Sequence, residues 1–207
     1  VLDSQGNHSL QERPKPTLIE DTDVIVRIEK TTICGTDLHI LRGNVSTFKD
    51  DTILGHEGVG IVEECGSRIV NFKPGDRVIV SCITSCGTCS MCHKSQFGQC
   101  LNGGWILGNE IDGCQAEYVR IPHGDNSLFP APEDIDIESL VFLSDIFPTG
   151  YEVGVLDGKL KPADSVAVIG CGPVGLAALM TAKFFSPSEI YAIDNNPHRL
   201  ETAKELG

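Results

Sequence analysis

The pattern of apolar and polar positions changes character once along this chain, near residue 151. Before that point apolar residues come in short runs with a period close to two. Val24, Val26 and Ile28 alternate with Ile25, Arg27 and Glu29, which predicts a strand over 24–33. The runs at 58–65 (GVGIVEEC), 77–81 (RVIVS) and 117–121 (EYVRI) read the same way, and Lys73-Pro74-Gly75-Asp76 is a turn signal between two of them. Short strands and Gly-rich turns up to about residue 145 predict a β-barrel or partly open β domain. Residues 1–22 are polar, contain prolines and show no clear period.

After Tyr151 the pattern is different. The apolar run 165–169 (SVAVI) suits a buried parallel strand. Residues 173–185 are rich in Ala and Leu and predict a helix. A second strand is expected over 189–194 (EIYAID), and a helix over 197–206 that opens on Pro197. This β-α-β-α order is the start of a doubly wound sheet. With 158–163 as a linker, the expected division is 1–150 and 151–207, and the expected class is α/β with a β-rich domain.

Composition narrows the functions. With 41% hydrophobic and 22% charged residues the chain is globular. A net charge of −13 argues against nucleic acid as a partner, because phosphates call for a basic surface. No apolar run is long enough to span a bilayer. The first residues, VLDSQGNHSL, lack the basic and apolar regions of an export signal, and nine cysteines is an odd count. Reduced thiols and a cytoplasmic location are therefore expected.

The strongest chemical signal is Cys86, Cys89, Cys92 and Cys100, spaced C-x2-C-x2-C-x7-C. Thiolates two or three residues apart let one tight loop close a tetrahedral shell around zinc. Two disulfides or an iron–sulfur cluster are the competing readings, and the last spacing departs from the bacterial ferredoxin run. His93 lies inside the loop, but four cysteines already fill the shell.

A second signal is Gly170-Cys171-Gly172-Pro173-Val174-Gly175, a G-x-G-x-x-G run between an expected strand and an expected helix. The first glycine permits the turn, the second lets a pyrophosphate approach the backbone, and the third allows close packing of helix and strand. Asp194 follows the next strand, where a carboxylate accepts from ribose hydroxyls and repels a 2′-phosphate. NAD is therefore expected over NADP.

Cys34-Gly35-Thr36-Asp37-Leu38-His39 and Gly55-His56-Glu57-Gly58-Val59-Gly60 are ambiguous alone, since a single Cys or His is usually structural. Taken with the cysteine loop and VAVIGCGPVG, in this order and at these spacings, they make the chain resemble the zinc-dependent medium-chain alcohol dehydrogenases over nearly its whole length. That resemblance implies a GroES-like catalytic domain, a partly open β-barrel, followed by the first half of a Rossmann sheet. It implies a catalytic zinc on Cys34, His56 and Asp145, with Glu57 as a nearby or exchanging ligand. It implies a proton relay through Thr36 and His39, and a place near the nicotinamide for Thr149. Two zinc ions per chain, NAD, a small alcohol or aldehyde substrate and a homodimer or homotetramer follow from the same likeness. A polyol or formaldehyde dehydrogenase, or a non-catalytic zinc-binding relative, are the alternatives. Cys65, Cys82, Cys114 and Cys171 are expected to pack. His8, His123 and His198 are expected at the surface or in loops, Trp105 under the loop or at the substrate, and Arg199 either near an adenosine or on a helix surface. Because a doubly wound dinucleotide domain has about six strands and only two are readable, the 207 residues are expected to be part of a longer enzyme and inactive alone.

Overall fold

The computed structural model describes residues 1–2 and 7–207. The chain forms two compact units, Val1–Ser144 and Asp145–Gly207. Within the segment read as aperiodic, residues 3–6 lie outside the described residues, and residues 7–22 form no helix or multi-residue strand.

The first unit is built on an open five-stranded antiparallel sheet in the order β4-β1-β2-β3-β5. Its strands are β1 (Val24–Thr31), β2 (Gly58–Cys65), β3 (Arg77–Val80), β4 (Tyr118–Ile121) and β5 (Leu128–Pro130). It does not close into a barrel. Alternation decides its two faces. Val24, Val26, Val62, Val78, Val80, Val119 and Ile121 point to one side and bury against Leu107, Cys114 and Leu128. Val59 and Ile79 point to the other side and bury against Leu140 and Val141. Each such side chain contributes roughly 1.5–3 kcal/mol on leaving water.

The β1–β2 pair carries two register shifts, one between Ile25 and Val26 and one between Ile28 and Lys30. Gly60 sits beside the second shift, and a Cβ there would stand 2.1 Å from the Arg27 carbonyl oxygen. The pairing ends at Thr31 opposite Gly58. Thr31 Oγ1 donates to the Glu57 carbonyl at 2.8 Å, which ties the end of β1 to the residue entering β2.

Three elements of this unit depart from the pattern reading. The first strand stops at Thr31 rather than running to residue 33, because helix α1 (Gly35–Leu41) begins there. Asp37 Oδ2 accepts from the Cys34 backbone N–H at 2.8 Å, a helix-start bond that interrupts extended structure. β5 is three residues long and contains Pro130, too short and too interrupted to show a period. Residues 137–144, read as strand and turn country, are helical: α3 (Ile137–Leu140) opens where Asp136 accepts from Ser139 N–H, and a 3-10 turn follows over Val141–Ser144. A short helix, α2 (Gly124–Ser127), precedes β5.

The second unit opens with α4 (Ile146–Thr149), which runs on as a π-helical stretch over Gly150–Leu156. Then come β6 (Ser165–Ile169), α5 (Pro173–Ala182), β7 (Glu189–Ile193) and α6 (Pro197–Glu205). β6 and β7 pair in parallel, Ser165 opposite Glu189 through Ile169 opposite Ile193. Val168, Ile190 and Ala192 pack beneath Leu176, Leu179, Leu200 and Ala203 of the two helices. The expectation of a strand buried on both faces is met on one face only. Ile169, Tyr191 and Ile193 lie on the other and are exposed, since both helices cover the same side. No helix among the described residues is long and apolar enough to cross a membrane.

The sheet register yields a stability prediction. Gly60→Ala should lower stability by about 1–3 kcal/mol, because the added methyl meets backbone that cannot rotate away. Chemical denaturation measures the difference, and an unchanged midpoint would show that β1 and β2 can separate there at no cost.

Candidate metal and nucleotide sites

The cysteine loop forms as one local structure. Cys89 Sγ lies 3.5 Å from Cys92 Sγ and 4.0 Å from Cys100 Sγ, and Cys86 Sγ lies 4.0 Å from Cys92 Sγ. A tetrahedron of Zn–S bonds near 2.3 Å sets sulfur–sulfur separations at roughly 3.8 Å, whereas a disulfide needs about 2.05 Å. All four cysteines are free thiols, so the donor set fits a structural zinc and not a pair of disulfides.

Backbone and amide donors already point at the sulfurs. Cys86 N–H donates to Cys100 Sγ at 3.3 Å, Cys92 N–H to Cys89 Sγ at 3.5 Å, and Asn102 N–H to Cys100 Sγ at 3.5 Å. The Asn102 side-chain amide donates to Cys86 Sγ at 3.4 Å, and this bond is the leading reason that thiol falls to about 5. Burial, and then the bond from Cys89, push Cys92 up to about 12. A dication among the sulfurs would favour the thiolate at each of them. Asn102 is itself held by His123, whose Nε2 lies 3.0 Å from the Asn102 carbonyl oxygen, so His123 supports the loop rather than binding metal. His93 is exposed.

The second cluster draws on residues far apart in sequence. One ligand atom each from Cys34, His56 and Glu57 falls within 4.8 Å of the others. Cys34 is the residue before α1; His56 and Glu57 lead into β2. His56 and Glu57 are buried and Cys34 is half-buried. His56 Nδ1 lies 3.8 Å from Asp37 Oδ1, and Asp37 is itself buried. Glu57 and Asp37 also act on the neighbouring Cys114 thiol. Burial first, and then these two charges, push it up to about 12. A thiol, an imidazole and two buried carboxyls gathered this closely form a negative, partly dehydrated nest whose natural complement is a cation. The residues present therefore fit a bound zinc.

Thr36 and His39 are three residues apart on α1 and so share a face. Thr36 is half-buried and His39 is exposed. Trp105 packs with Ile40, Leu54 and Phe48 and stands edge-on to His56, ring centroids 6.1 Å apart, so it borders the cluster rather than the cysteine loop. Cys114 and Cys171 are buried packing residues, as expected.

Ser144 closes the first unit with its hydroxyl donating to Gly58 O at 3.0 Å and accepting from Gly58 N–H at 3.1 Å, while its carbonyl accepts from Cys82 N–H at 3.0 Å. Asp145, the next residue, opens the second unit. There Thr149 Oγ1 donates to Asp145 Oδ1 at 2.6 Å, so Thr149 fixes a carboxylate four residues back.

The glycine loop of the second unit owes its backbone shape to its glycines. Gly170 has φ +91, a conformation that other residues adopt only with strain. Gly172 precedes α5, where Pro173 takes the first helical position, and a Cβ on Gly172 would meet nothing within 4 Å. That open approach to a helix N-terminus suits a phosphate. A Cβ on Gly175 would stand 1.8 Å from the Gly170 carbonyl oxygen, so the helix and the loop touch there. Val174 is partly exposed beside them.

Asp194 does more than the sequence suggested. Its Oδ2 accepts from Cys171 N–H at 2.7 Å and its Oδ1 from Asn196 N–H at 2.8 Å. These two backbone bonds, that of Asn196 first, hold the carboxyl below its ordinary value of 3.8. Asp194 thus ties the glycine loop to the end of β7, with Arg199 at 3.8 Å.

Three residues that shape these sites were not singled out from the sequence. Asp37 carries a signal that could have found it, an acid three residues after the last extended residue, the spacing of a helix-start box. Gln115 donates from Nε2 to Asp37 Oδ2 at 3.1 Å and to the Thr32 carbonyl at 3.2 Å. Neither Gln115 nor Ser144 lies near the motifs they serve, and no spacing marks them.

The loop geometry predicts that Cys86→Ser will release one metal per chain and lower the melting temperature, because binding energy at a closed site is folding energy. Metal analysis alongside thermal unfolding measures both. Full metal content in the folded variant would show that Cys86 is not a ligand.

The family model described as the alcohol dehydrogenase GroES-like domain matches residues 20–133. The zinc-type alcohol dehydrogenase B of Aspergillus flavus is 38% identical, over 100% of this chain and 49% of its own length. The solved structure of zinc dependent alcohol dehydrogenase 2 from Streptococcus pneumonia is 53% identical with a TM-score of 0.94, over 100% of this chain and 58% of that one. A zinc-binding dehydrogenase from Sinorhizobium meliloti, solved bound to NADP, is 30% identical with a TM-score of 0.84, over 99% and 58%. The chain thus spans about half the length of the Aspergillus relative. A domain match over more than half of the residues, joined to a fold shared with solved dehydrogenases, places this chain in the zinc-dependent medium-chain alcohol dehydrogenase family.

Proposed function

We propose that the protein to which this chain belongs transfers a hydride between a small alcohol and NAD, giving an aldehyde or ketone, with Cys34, His56 and Asp145 holding a catalytic zinc. The observation that carries this reading is the gathering of Cys34, His56 and Glu57 beside buried Asp37, at the ends of two strands of a GroES-like domain. Three protein ligands leave one position open, as a catalytic site requires and a structural one does not. When bound, zinc would lower the pKa of the alcohol hydroxyl and the nicotinamide would accept the hydride.

The chain's own residues do the rest. Asp145 is one peptide unit, about 3.8 Å, from Ser144, and Ser144 is pinned to the residue after Glu57. Thr149 orients the Asp145 carboxylate. Thr36 Oγ1 accepts the alcohol proton while giving up its own, and His39, exposed to solvent on the same helix face, passes a proton out. Gly170, Gly172, Pro173, Val174 and Gly175 present the start of α5 to the cofactor pyrophosphate. Glu57 would offer a further carboxylate to a bound metal. Loss of this chemistry in a zinc-binding relative would leave Thr36 and His39 without a task, which favours the enzyme over a structural protein. A polyol or formaldehyde would be handled by the same groups.

Two outcomes test the assignment in the full-length protein. Asp145→Ala should remove one of two zinc ions and cut kcat/KM by at least ten-fold, leaving the cysteine-loop metal in place; two zincs and full activity would remove Asp145 from the site. The unmutated enzyme should prefer NAD over NADP, and Asp194→Ser should narrow that preference. Equal use of the two cofactors by the unmutated enzyme would show that the Asp194 charge does not discriminate, and a substrate panel of primary, secondary and polyhydric alcohols separates the substrate classes.

A further inference from the structure

Gln115 makes a bridge that none of the catalytic roles above requires. It sits in the turn before β4, packed so closely against the His56 segment that a Cβ on Gly55 would stand 2.7 Å from its Cγ. Its backbone N–H donates to the Leu54 carbonyl at 2.9 Å, which anchors it to the strand entry carrying His56 and Glu57. Its side-chain amide reaches the other way. The two Nε2 protons go to the Thr32 carbonyl and to Asp37 Oδ2, on the segment that carries Cys34.

Asp37 is where the two segments meet. Its Oδ2 accepts from both the Cys34 N–H and Gln115 Nε2, at 2.8 Å and 3.1 Å. Two donors on one oxygen fix the plane of the carboxylate. Its Oδ1 has no hydrogen-bond donor among the described residues and faces His56 Nδ1 at 3.8 Å. A buried carboxylate is expensive unless donors and a positive charge face it. Gln115 supplies one of the two donors, and a cation on Cys34 and His56 would supply the charge. A group that orients the carboxylate beside a ligating imidazole also orients that imidazole and tunes its basicity.

We propose that Gln115 is a positioning residue for the Cys34–His56 metal site, acting through the Asp37 carboxylate to set the His56 ring and the Cys34 backbone together. Its amide is a clamp between the two chain segments that bring the ligands. Glutamine fits the task where glutamate does not, because it offers two donors and adds no second negative charge beside Asp37. The inference rests on the reading of Cys34 and His56 as metal ligands.

The test replaces Gln115 with Met, which keeps the shape and removes both donors, and measures metal affinity in the full-length protein by chelator competition with zinc and by titration with cobalt. Gln115→Met should weaken the Cys34–His56 site about ten- to a hundred-fold, the range for losing a partner of a ligand. It should shift the visible absorption of cobalt bound there and leave the cysteine-loop metal in place. In an Asp37→Asn background the same substitution should add little, since its route to His56 is already cut. Gln115→Asn, whose shorter arm cannot span both oxygens, serves as the second variant should Gln115→Met fail to fold, and should weaken the site in the same direction. Unchanged affinity and an unchanged cobalt spectrum would overturn the proposal, as would an equal loss with and without Asp37. A wild-type protein that binds metal only at the cysteine loop would instead overturn the assignment of Cys34 and His56.

Discussion

The antiparallel pairing of β1 with β2 is the constraint on which the Cys34–His56–Glu57 cluster depends. The two strands meet with Thr31 opposite Gly58. Cys34 follows Thr31 by three residues, and His56 and Glu57 immediately precede Gly58, so one register brings a thiol, an imidazole and a carboxyl to the same end of the sheet. A slip by one residue would send Val24, Val26 and Val62 to the opposite face and separate the ligands as well. Hydrophobic burial along the sheet thus fixes the position of groups that take no part in it. The Thr31 hydroxyl, bonded to the Glu57 carbonyl, secures the last rung where a frayed strand end would blur the site.

That register has an electrostatic cost. It places Asp37, His56 and Glu57 together, each almost wholly removed from water. Carboxyls so placed are tolerated when donors and an opposite charge surround them, and strongly unfavourable when either is missing. The donors are supplied by the chain: the Cys34 backbone and the Gln115 amide for Asp37. The opposite charge is what a metal brings. Burial does most to push the neighbouring Cys114 thiol up, and Glu57 and then Asp37 add to the push.

How much of this was legible in the sequence follows from how far apart the cooperating residues lie. The cysteine loop was legible because all four thiols fall within fifteen positions and spacing alone nearly determines that they gather. The glycine loop was legible because its strand, turn and helix are consecutive. The runs 58–65 and 165–169 form strands that begin and end where the pattern puts them. Helix α1 was missed because its start signal is an acid three residues after a cysteine, not after a Ser or Thr, and only residues 32–34 separate it from β1. The helical turns over 137–144 were missed because Leu140 and Val141 answer to the sheet face they cover, Val59 and Ile79, rather than to a local period. Gln115 and Ser144 were missed for the most general reason. They bond to residues 78 and 86 positions away, and a single sequence holds no mark of that pairing.

The two clusters that could hold a metal, seen together, differ in what holds them. At the cysteine loop the N–H groups that face the sulfurs belong to the loop itself, Cys86, Cys92 and Asn102, so the ligands and their supports form or dissolve as one local piece. At the Cys34–His56 cluster the two side chains stand on separate segments; Asp37 supports them from the Cys34 segment, and Gln115 reaches across from a third. Local construction suits a metal whose task is to close a loop, because no other part of the protein must be in place first. Distributed construction suits a metal that is to do chemistry, because an open position can be kept only if the ligands are held from outside the shell. The glycine loop follows the second plan in miniature. Asp194 accepts from Cys171 within the loop and from Asn196 beyond β7, so one carboxylate at the end of β7 holds the shape of the whole loop.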